Sequence, residues 1–171
     1  MAQLAVRFRH AIDRMRGIVL PTLHLVCGLP CSGKTTLAKR LEKEQRALRL
    51  TPDDWHIRLF GQDAQHKQHD ERHDKIEVLL WEVAARALEL GFDVILDFGF
   101  WSRFERDDYR DKARALGAAT QLHYLDLPES ELFRRLVVRN RILPTGAFKI
   151  SPQQLGEWAR KFEVPSQEEL D

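Results

Sequence analysis

The sequence predicts an α/β fold in which a parallel sheet carries helices on both faces. Three observations lead there. Apolar runs of strand length stand at Thr22–Cys27, Phe92–Phe98 and Gln121–Leu127. Segments of helical periodicity lie between them. No repeat and no Pro/Gly/Ser-rich linker interrupts the 171 residues, a length that fits one domain. Strands alternating with helices of this size form βαβ units, whose crossovers cover both sheet faces.

Thr22–Cys27 (TLHLVC) has a buried-strand pattern stopped by Gly28. Lys34–Arg46 reads as a helix with Leu37, Ala38 and Leu41 on one face. Ala47–Leu50 is a short strand candidate, closed by Thr51-Pro52-Asp53-Asp54 before a helix that begins near Trp55. Residues 62–72 are polar and read as loop. Asp74–Leu90 is the clearest helix: Ile76, Leu80, Ala84 and Leu88 keep the period, and Gly91 ends it. Phe92–Phe98 is the next clear strand. Ser102-Arg103-Phe104-Glu105 is a capping box that opens a helix ended by Gly117. After the strand Gln121–Leu127, Pro128 starts a helix through Leu132, Phe133, Leu136 and Val137. Arg139–Ile150, with Pro144 and Gly146, reads as loop, and Ser151-Pro152-Gln153-Gln154 caps a last helix.

Charge and composition exclude several classes. The chain has 27 basic and 26 acidic side chains, for a net charge of +1. No global field draws it onto nucleic acid or anionic lipid, so any basic site must be local. A hydrophobic content of 43% excludes a wholly disordered chain. The longest apolar stretch, Ile18–Pro30, is broken by Pro21, His24 and Gly28 and is too short to span a bilayer. Cys27 and Cys31 make no disulfide framework, and a reducing, cytoplasmic setting is expected. Residues 1–21, with Arg7, Arg9, Arg14 and Arg16, read as an N-terminal extension, either an amphipathic leader helix or a tag remnant. Their lack of serine argues against a transit peptide, and Met15 is an alternative start.

Gly28-Leu29-Pro30-Cys31-Ser32-Gly33-Lys34-Thr35 meets every fixed position of the phosphate-binding loop G-x-x-x-x-G-K-[ST]. It follows a strand pattern and opens a helix, as that loop must. Gly28 and Gly33 allow backbone angles that a Cβ would block. The turn then aims successive N–H groups inward, and the helix N-terminus adds positive potential for a polyphosphate. Pro30, Cys31, Ser32 and Thr36 complete the expected nucleotide cradle. Lys34 is the point charge for the β and γ oxygens, and the Thr35 hydroxyl suits Mg²⁺. No guanine-reading N-K-x-D motif appears, so ATP is the expected nucleotide.

Acids and arginines fill in the rest. Asp97 ends the strand VILD, at the sheet edge where ligands gather, and suits magnesium or the acceptor. Asp53 and Asp54 follow the second strand. One is placed to take the proton of an acceptor hydroxyl while the other caps the helix; capping by both is the plainer reading. Arg134, Arg135, Arg139, Arg141 and Lys149 occur with no acid among them, around a Pro/Gly segment. Arginines on a lid over residues 134–150 would neutralise a transferring phosphoryl group and exclude water, and a solvated basic face is the alternative. Arg103 and Arg106 lie just beyond Asp97 and are candidate acceptor contacts. His66, His69 and His73, with Asp70 and Asp74, have spacings compatible with a metal, against a simply solvated segment. Cys31, near a helix N-terminus, is expected to have an acidic thiol. Trp55 and Trp101 fall near the site edges and are candidates to stack a ring.

The residues GLPCSGKTTLAKRLE, TPDDWHIRLFG, VILDFGFWSRFERD and YLDLPESELFRRLVVRN resemble the small P-loop kinase-like ATP-binding proteins. These are relatives of polynucleotide 5′-kinase, zeta toxin and chloramphenicol phosphotransferase, often described as AAA-family ATPases. The resemblance runs from about Leu23 to Leu170. It implies a P-loop NTPase three-layer sandwich with a 2-3-1-4-type sheet, a kinase-like domain over residues 22–171 and a mobile helical lid. It puts a general base on Asp53 and lid arginines on Arg135, Arg139 and Arg141. Relatives that act on nucleic acid often carry an acceptor-binding arginine where this chain has His56, so the resemblance makes His56, with Asp53 and Asp97, a candidate acceptor contact. The expected activity is Mg-ATP-dependent phosphoryl transfer to a hydroxyl of a small molecule. The alternatives are a nucleotide-binding switch or ATPase module without an acceptor, and a polynucleotide 5′-hydroxyl kinase. The expected partners are a nucleotide and the acceptor, with no membrane, and the expected state is a monomer or homodimer.

Overall fold

The structure, a computed structural model, describes residues 20–170. The expected extension over residues 1–21 lies outside them except for Leu20 and Pro21. Four parallel strands form one sheet: β1 (Thr22–Cys27), β2 (Leu48–Leu50), β3 (Val94–Gly99) and β4 (Ala119–Tyr124). Their order is β2-β3-β1-β4, the 2-3-1-4 order implied by the resemblance. The helices are α1 (Lys34–Gln45), α2 (Pro52–Phe60), α3 (His69–Glu89), α4 (Arg103–Ala115), α5 (Glu129–Ile142), α6 (Pro152–Lys161) and the short α7 (Gln167–Leu170).

Side-chain alternation divides the core between the two sheet faces. Leu23 and Leu25 of β1 and Val94 and Leu96 of β3 face Ile76, Leu80, Ala84 and Leu88 of α3 and Tyr109 and Ala113 of α4. Val26 and Ile95 point the other way, onto Ala38 and Leu41 of α1. Both faces of β1 and β3 are covered, which is why these strands read as continuous apolar runs. A third cluster, Leu132, Leu136, Ile150 and Leu155, ties α5 to α6 beside Leu29 of the phosphate loop. All strands are parallel, so Gly28, Thr51, Gly99 and Leu125 emerge at one sheet edge.

The structure moves several boundaries. α3 starts at His69 rather than Asp74, because His69 and Arg72 turn inward onto Asp63 and its first turn carries Asp70 and Glu71. α2 starts at Pro52, whose fixed φ suits a first helical position. α5 continues to Ile142, so Arg139 and Arg141 are helical rather than in a loop. Ser151 forms both halves of its capping box. Ser102 takes the Glu105 N–H, but the Glu105 carboxylate accepts the N–H of Trp101 at 2.9 Å. Among the described residues, no helix is long and apolar enough to cross a membrane.

Candidate active site

The phosphate loop leaves β1 at Gly28, whose φ of 144° is unfavourable for other residues. A Cβ there would lie 3.0 Å from both the Leu125 carbonyl oxygen and Ser32 Oγ. Cys31 (φ 69°) and Gly33 (φ 102°) also take positive φ, and the Gly33 carbonyl accepts the Leu37 N–H to begin α1. The loop thus curls round its own interior. Ser32 Oγ is buried there without a hydrogen-bond partner. Lys34 Nζ donates to the Leu29 carbonyl at 2.9 Å, folding back across the loop. Burial pushes the Lys34 ammonium down, while Asp97 and Asp53 pull it back toward its charged form.

Asp97 is 6% exposed on β3. Burial raises its carboxyl from 3.8 to about 6, against the Thr35 hydroxyl bond and the Lys34 charge. Thr51 Oγ1 lies 3.4 Å from Asp97 Oδ2. The Thr51 hydroxyl in turn meets Arg49, whose guanidinium reaches Asp54 at 3.4 Å and Glu42 at 3.1 Å. The strand pattern of β2 gave no hint of Arg49; it matters because this guanidinium ties Asp54 and Thr51 together beside Asp97.

Asp53 stands in the first turn of α2. Burial pushes its carboxyl up, and His73, Lys34 and Arg139 pull it down. Its neighbour Asp54 instead pairs with Arg49. The two acids therefore separate: one faces the phosphate loop and the other anchors the helix.

The lid arginines also separate. Arg135 pairs with Glu131 at 2.7 Å and approaches Gly33, 4.0 Å from where a Cβ would stand. Arg139 lies within electrostatic range of Cys31 and Asp53, and its Nη1 is buried without a partner. Arg141 is exposed, and Arg134 pairs with Glu131 in solvent. The segment after α5 folds over α2. A Cβ at Gly146 would overlap the Asp54 carboxylate, and Gln62 Nε2 donates to the Ala147 carbonyl at 2.9 Å. Asn140 bonds both the carbonyl and the N–H of Ile150, closing the segment's base.

Four expectations need correction. Arg106 is no acceptor contact: it is fully buried and grips Glu169 at 2.7 and 3.2 Å and the carbonyls of Phe100 and Glu163. Every nitrogen of its guanidinium is committed within the chain. His56 is equally buried, with Nε2 2.7 Å from Asp63 Oδ1, so it offers no open acceptor surface. Burial pushes the Cys31 thiol up rather than making it acidic, despite Arg139 and Lys34 nearby. Trp101 does not await a ring; it packs on Trp158 at 5.3 Å between centroids. Arg103 is exposed beside Asp107, and Trp55 is exposed on α2. Of the histidines suspected as a cluster, His69 and His73 meet His56 instead of His66.

The fold recurs among solved structures. A subunit of the Pnkp1/Rnl/Hen1 RNA repair complex matches with TM-score 0.64 and 24% identity, over 84% of this chain and 47% of that one. The chain thus spans about half the length of that subunit. Chaetomium thermophilum Kti12, in complex with ADP-AlF3, matches with TM-score 0.66 and 19% identity, over 84% of this chain and 81% of that one. A gluconokinase from Sinorhizobium meliloti matches with TM-score 0.59 and 20% identity, over 87% and 79%. Among curated proteins, none matches the sequence. The AAA domain pattern matches residues 23–165, which include the phosphate loop, Asp53, Asp97 and α5. By that match the chain belongs to the AAA domain family.

Proposed function

We propose that the protein is an Mg-ATP-dependent phosphotransferase that moves a γ-phosphoryl group to a hydroxyl of a small molecule. The observation that carries the reading is that Asp53 lies within electrostatic range of both Lys34 and Arg139. A carboxylate held beside that loop from a separate helix suits deprotonation of an acceptor hydroxyl, and stimulation by an acceptor is what separates this reading from hydrolysis by an oriented water.

The residues present fit a nucleotide. Ser32 Oγ in the loop, and Arg139 Nη1 on α5 within electrostatic range of Cys31, are buried polar atoms without partners, a state a polyphosphate would relieve. The Thr35 hydroxyl and the Asp97 carboxylate, close enough for the hydroxyl to lower the carboxyl pKa, are the donors that would hold Mg²⁺, and the ion would supply charge neutralisation for the phosphates. Lys34 exchanges its bond to the Leu29 carbonyl for phosphate oxygens. Asp53, its carboxyl raised by burial, accepts the proton of the acceptor hydroxyl as that oxygen bonds to the γ-phosphorus and the bond from the γ-phosphorus to the β–γ bridging oxygen breaks, releasing ADP. Arg135 and Arg139 offset the charge on the transferring group. The segment over residues 143–150, seated on α2, excludes water from the reaction. Arg141 and Arg103, both exposed, remain candidates for acceptor contact when the lid moves.

A gluconokinase among the structural neighbours supports a small polyol-like acceptor. The RNA repair subunit supports a polynucleotide end as the second reading. Burial of His56 weighs against that second reading, because it leaves no exposed cation at that position to take an acceptor phosphate. Two free cysteines support a reducing, cytoplasmic setting.

The test is ADP release from Mg-ATP with a panel of acceptors: nucleosides, 5′-hydroxyl oligonucleotides, sugar acids, amino sugars and chloramphenicol-like alcohols. Stimulation by one small acceptor, lost in Asp53→Asn and in Lys34→Ala, is expected. Turnover that no acceptor stimulates and that Asp53→Asn leaves unchanged would return the protein to a nucleotide-binding switch.

A further inference from the structure

We infer that His56, His69 and His73 form a binding site for one zinc-class divalent ion, separate from the phosphate loop. One ligand atom from each of the three rings lies within 4.8 Å of the other two. His69 and His73 are four residues apart on α3 and share a face. His56 comes from α2, so the site bridges α2 and α3.

The ring nitrogens divide into an outer and an inner set. On the outside each ring meets a carboxylate. His69 Nδ1 is hydrogen-bonded to Asp63 Oδ1 at 2.9 Å. His56 Nε2 lies 2.7 Å from the same oxygen, off the axis of an ideal N–H bond. His73 Nε2 lies 3.5 Å from Glu77. Asp63 is itself held by Arg72 at 2.7 Å, so its charge and orientation are fixed. Carboxylates on the far nitrogens are what orient metal-ligating imidazoles and set their tautomer.

On the inside, His56 Nδ1 and His73 Nδ1 face each other at 3.2 Å. With protons on the outer nitrogens, both inner ones present lone pairs, which repel unless a proton or a cation lies between them. Two nitrogens about 2.0–2.1 Å from one tetrahedral ion are about 3.3 Å apart, the spacing observed. With His69 Nδ1 bonded to Asp63, its Nε2 is the nitrogen left to serve as the third donor. Three imidazoles select zinc-class ions over magnesium or calcium, which want oxygen. Beyond the carboxylates, two aromatic rings close the site: Phe148 packs edge-on against His56 and His69, and Phe60 against His56. Phe148 belongs to the segment seated on α2, so an ion here would also fix the surface that the lid docks against. Asp53 is within electrostatic range of His73, so the ion would sit on the α2 side of that carboxylate without using the phosphate loop.

The test uses the full chain, stripped by chelator and free of nucleotide. It is titrated with zinc by calorimetry and with cobalt by visible absorption. One ion per chain is expected, with the strong cobalt bands of a four-coordinate site. His69→Gln and His73→Gln should each weaken zinc by about 100-fold or more, and Asp63→Asn by about 10–100-fold. His66→Gln and Lys34→Ala should leave zinc affinity unchanged, the latter while removing phosphoryl transfer, so the two readings fail separately. Circular dichroism checks each fold. If a histidine variant does not fold, the wild-type cobalt spectrum and Asp63→Asn carry the test. Absence of a stoichiometric ion, or zinc affinity unchanged in these variants, overturns the site and leaves the two Nδ1 atoms sharing a proton.

Discussion

Replacing Asp97 by Asn is expected to stabilise the protein while removing its activity. Asp97 is 6% exposed, and burial lifts its carboxyl from 3.8 to about 6. Holding that group ionised above pH 6 costs about 3 kcal/mol relative to the unfolded chain. The sign follows from proton linkage. Between the two values the folded protein keeps a proton that the unfolded chain has lost. Stability is therefore greatest below about pH 4 on this account and declines as pH rises through about 6. Asn removes the charge, keeps the shape and still accepts the Thr51 hydroxyl. For a chain of this size 1 kcal/mol moves Tm by about 2–4 °C. The variant should melt about 6–12 °C higher at neutral pH, with the gain shrinking toward pH 4. Thermal unfolding in chelator, without nucleotide, across that range measures it. In parallel, kcat should fall by about 100-fold or more. A lower Tm for the variant at neutral pH, or a difference independent of pH, would refute the argument. It would mean that Thr35, Thr51 and Lys34 hold the carboxylate as a structural anchor rather than leave it poised for a metal.

Three other outcomes are expected. Glu169→Gln strands the buried Arg106 charge and should cost about 3–5 kcal/mol in urea unfolding. That loss should be full at neutral pH and fade as pH falls from about 4.5 toward 2, where the wild-type Glu169 carboxyl, held down to about 2 by Arg106, also takes up its proton. Gly146→Ala adds a Cβ at φ 76° against Asp54 and should loosen the segment over α2. A cost of about 1–2 kcal/mol corresponds to cleavage within residues 143–150 that is about 5–30-fold faster in limited proteolysis. Cys31, its thiol pushed up by burial, should react with iodoacetamide more slowly than free cysteine at neutral pH.

The phosphate loop was legible because its chemistry is local. Gly28, Gly33, Lys34 and Thr35 do their work within eight consecutive residues, and the flanking strand and helix patterns are equally local. The α/β class followed from periodicity alone, and the sheet order from the resemblance. The boundary errors share one cause. The first turn of α3 is polar because His69, Arg72 and His73 face Asp63, His56 and Glu77, and a polar segment without apolar spacing reads as loop. α5 was cut short for a similar reason: Arg139 turns toward Cys31 and Asp53, so no apolar period marks its last turn.

Local pattern thus settled the existence and order along the chain of the strands, the nucleotide loop and the charge of each candidate, while the strand expected at Gln121–Leu127 falls at Ala119–Tyr124. Partnership was left to the tertiary structure, because the groups that satisfy or bury a side chain come from far along the chain. Arg106 has the same formal charge as Arg139, yet Glu169, 63 residues away, takes up one, while the other keeps a buried nitrogen without a partner. His56 belongs with His73, 17 residues on, rather than with an acceptor. A side chain's charge is written in its residue type; whether that charge is available depends on what the fold packs against it.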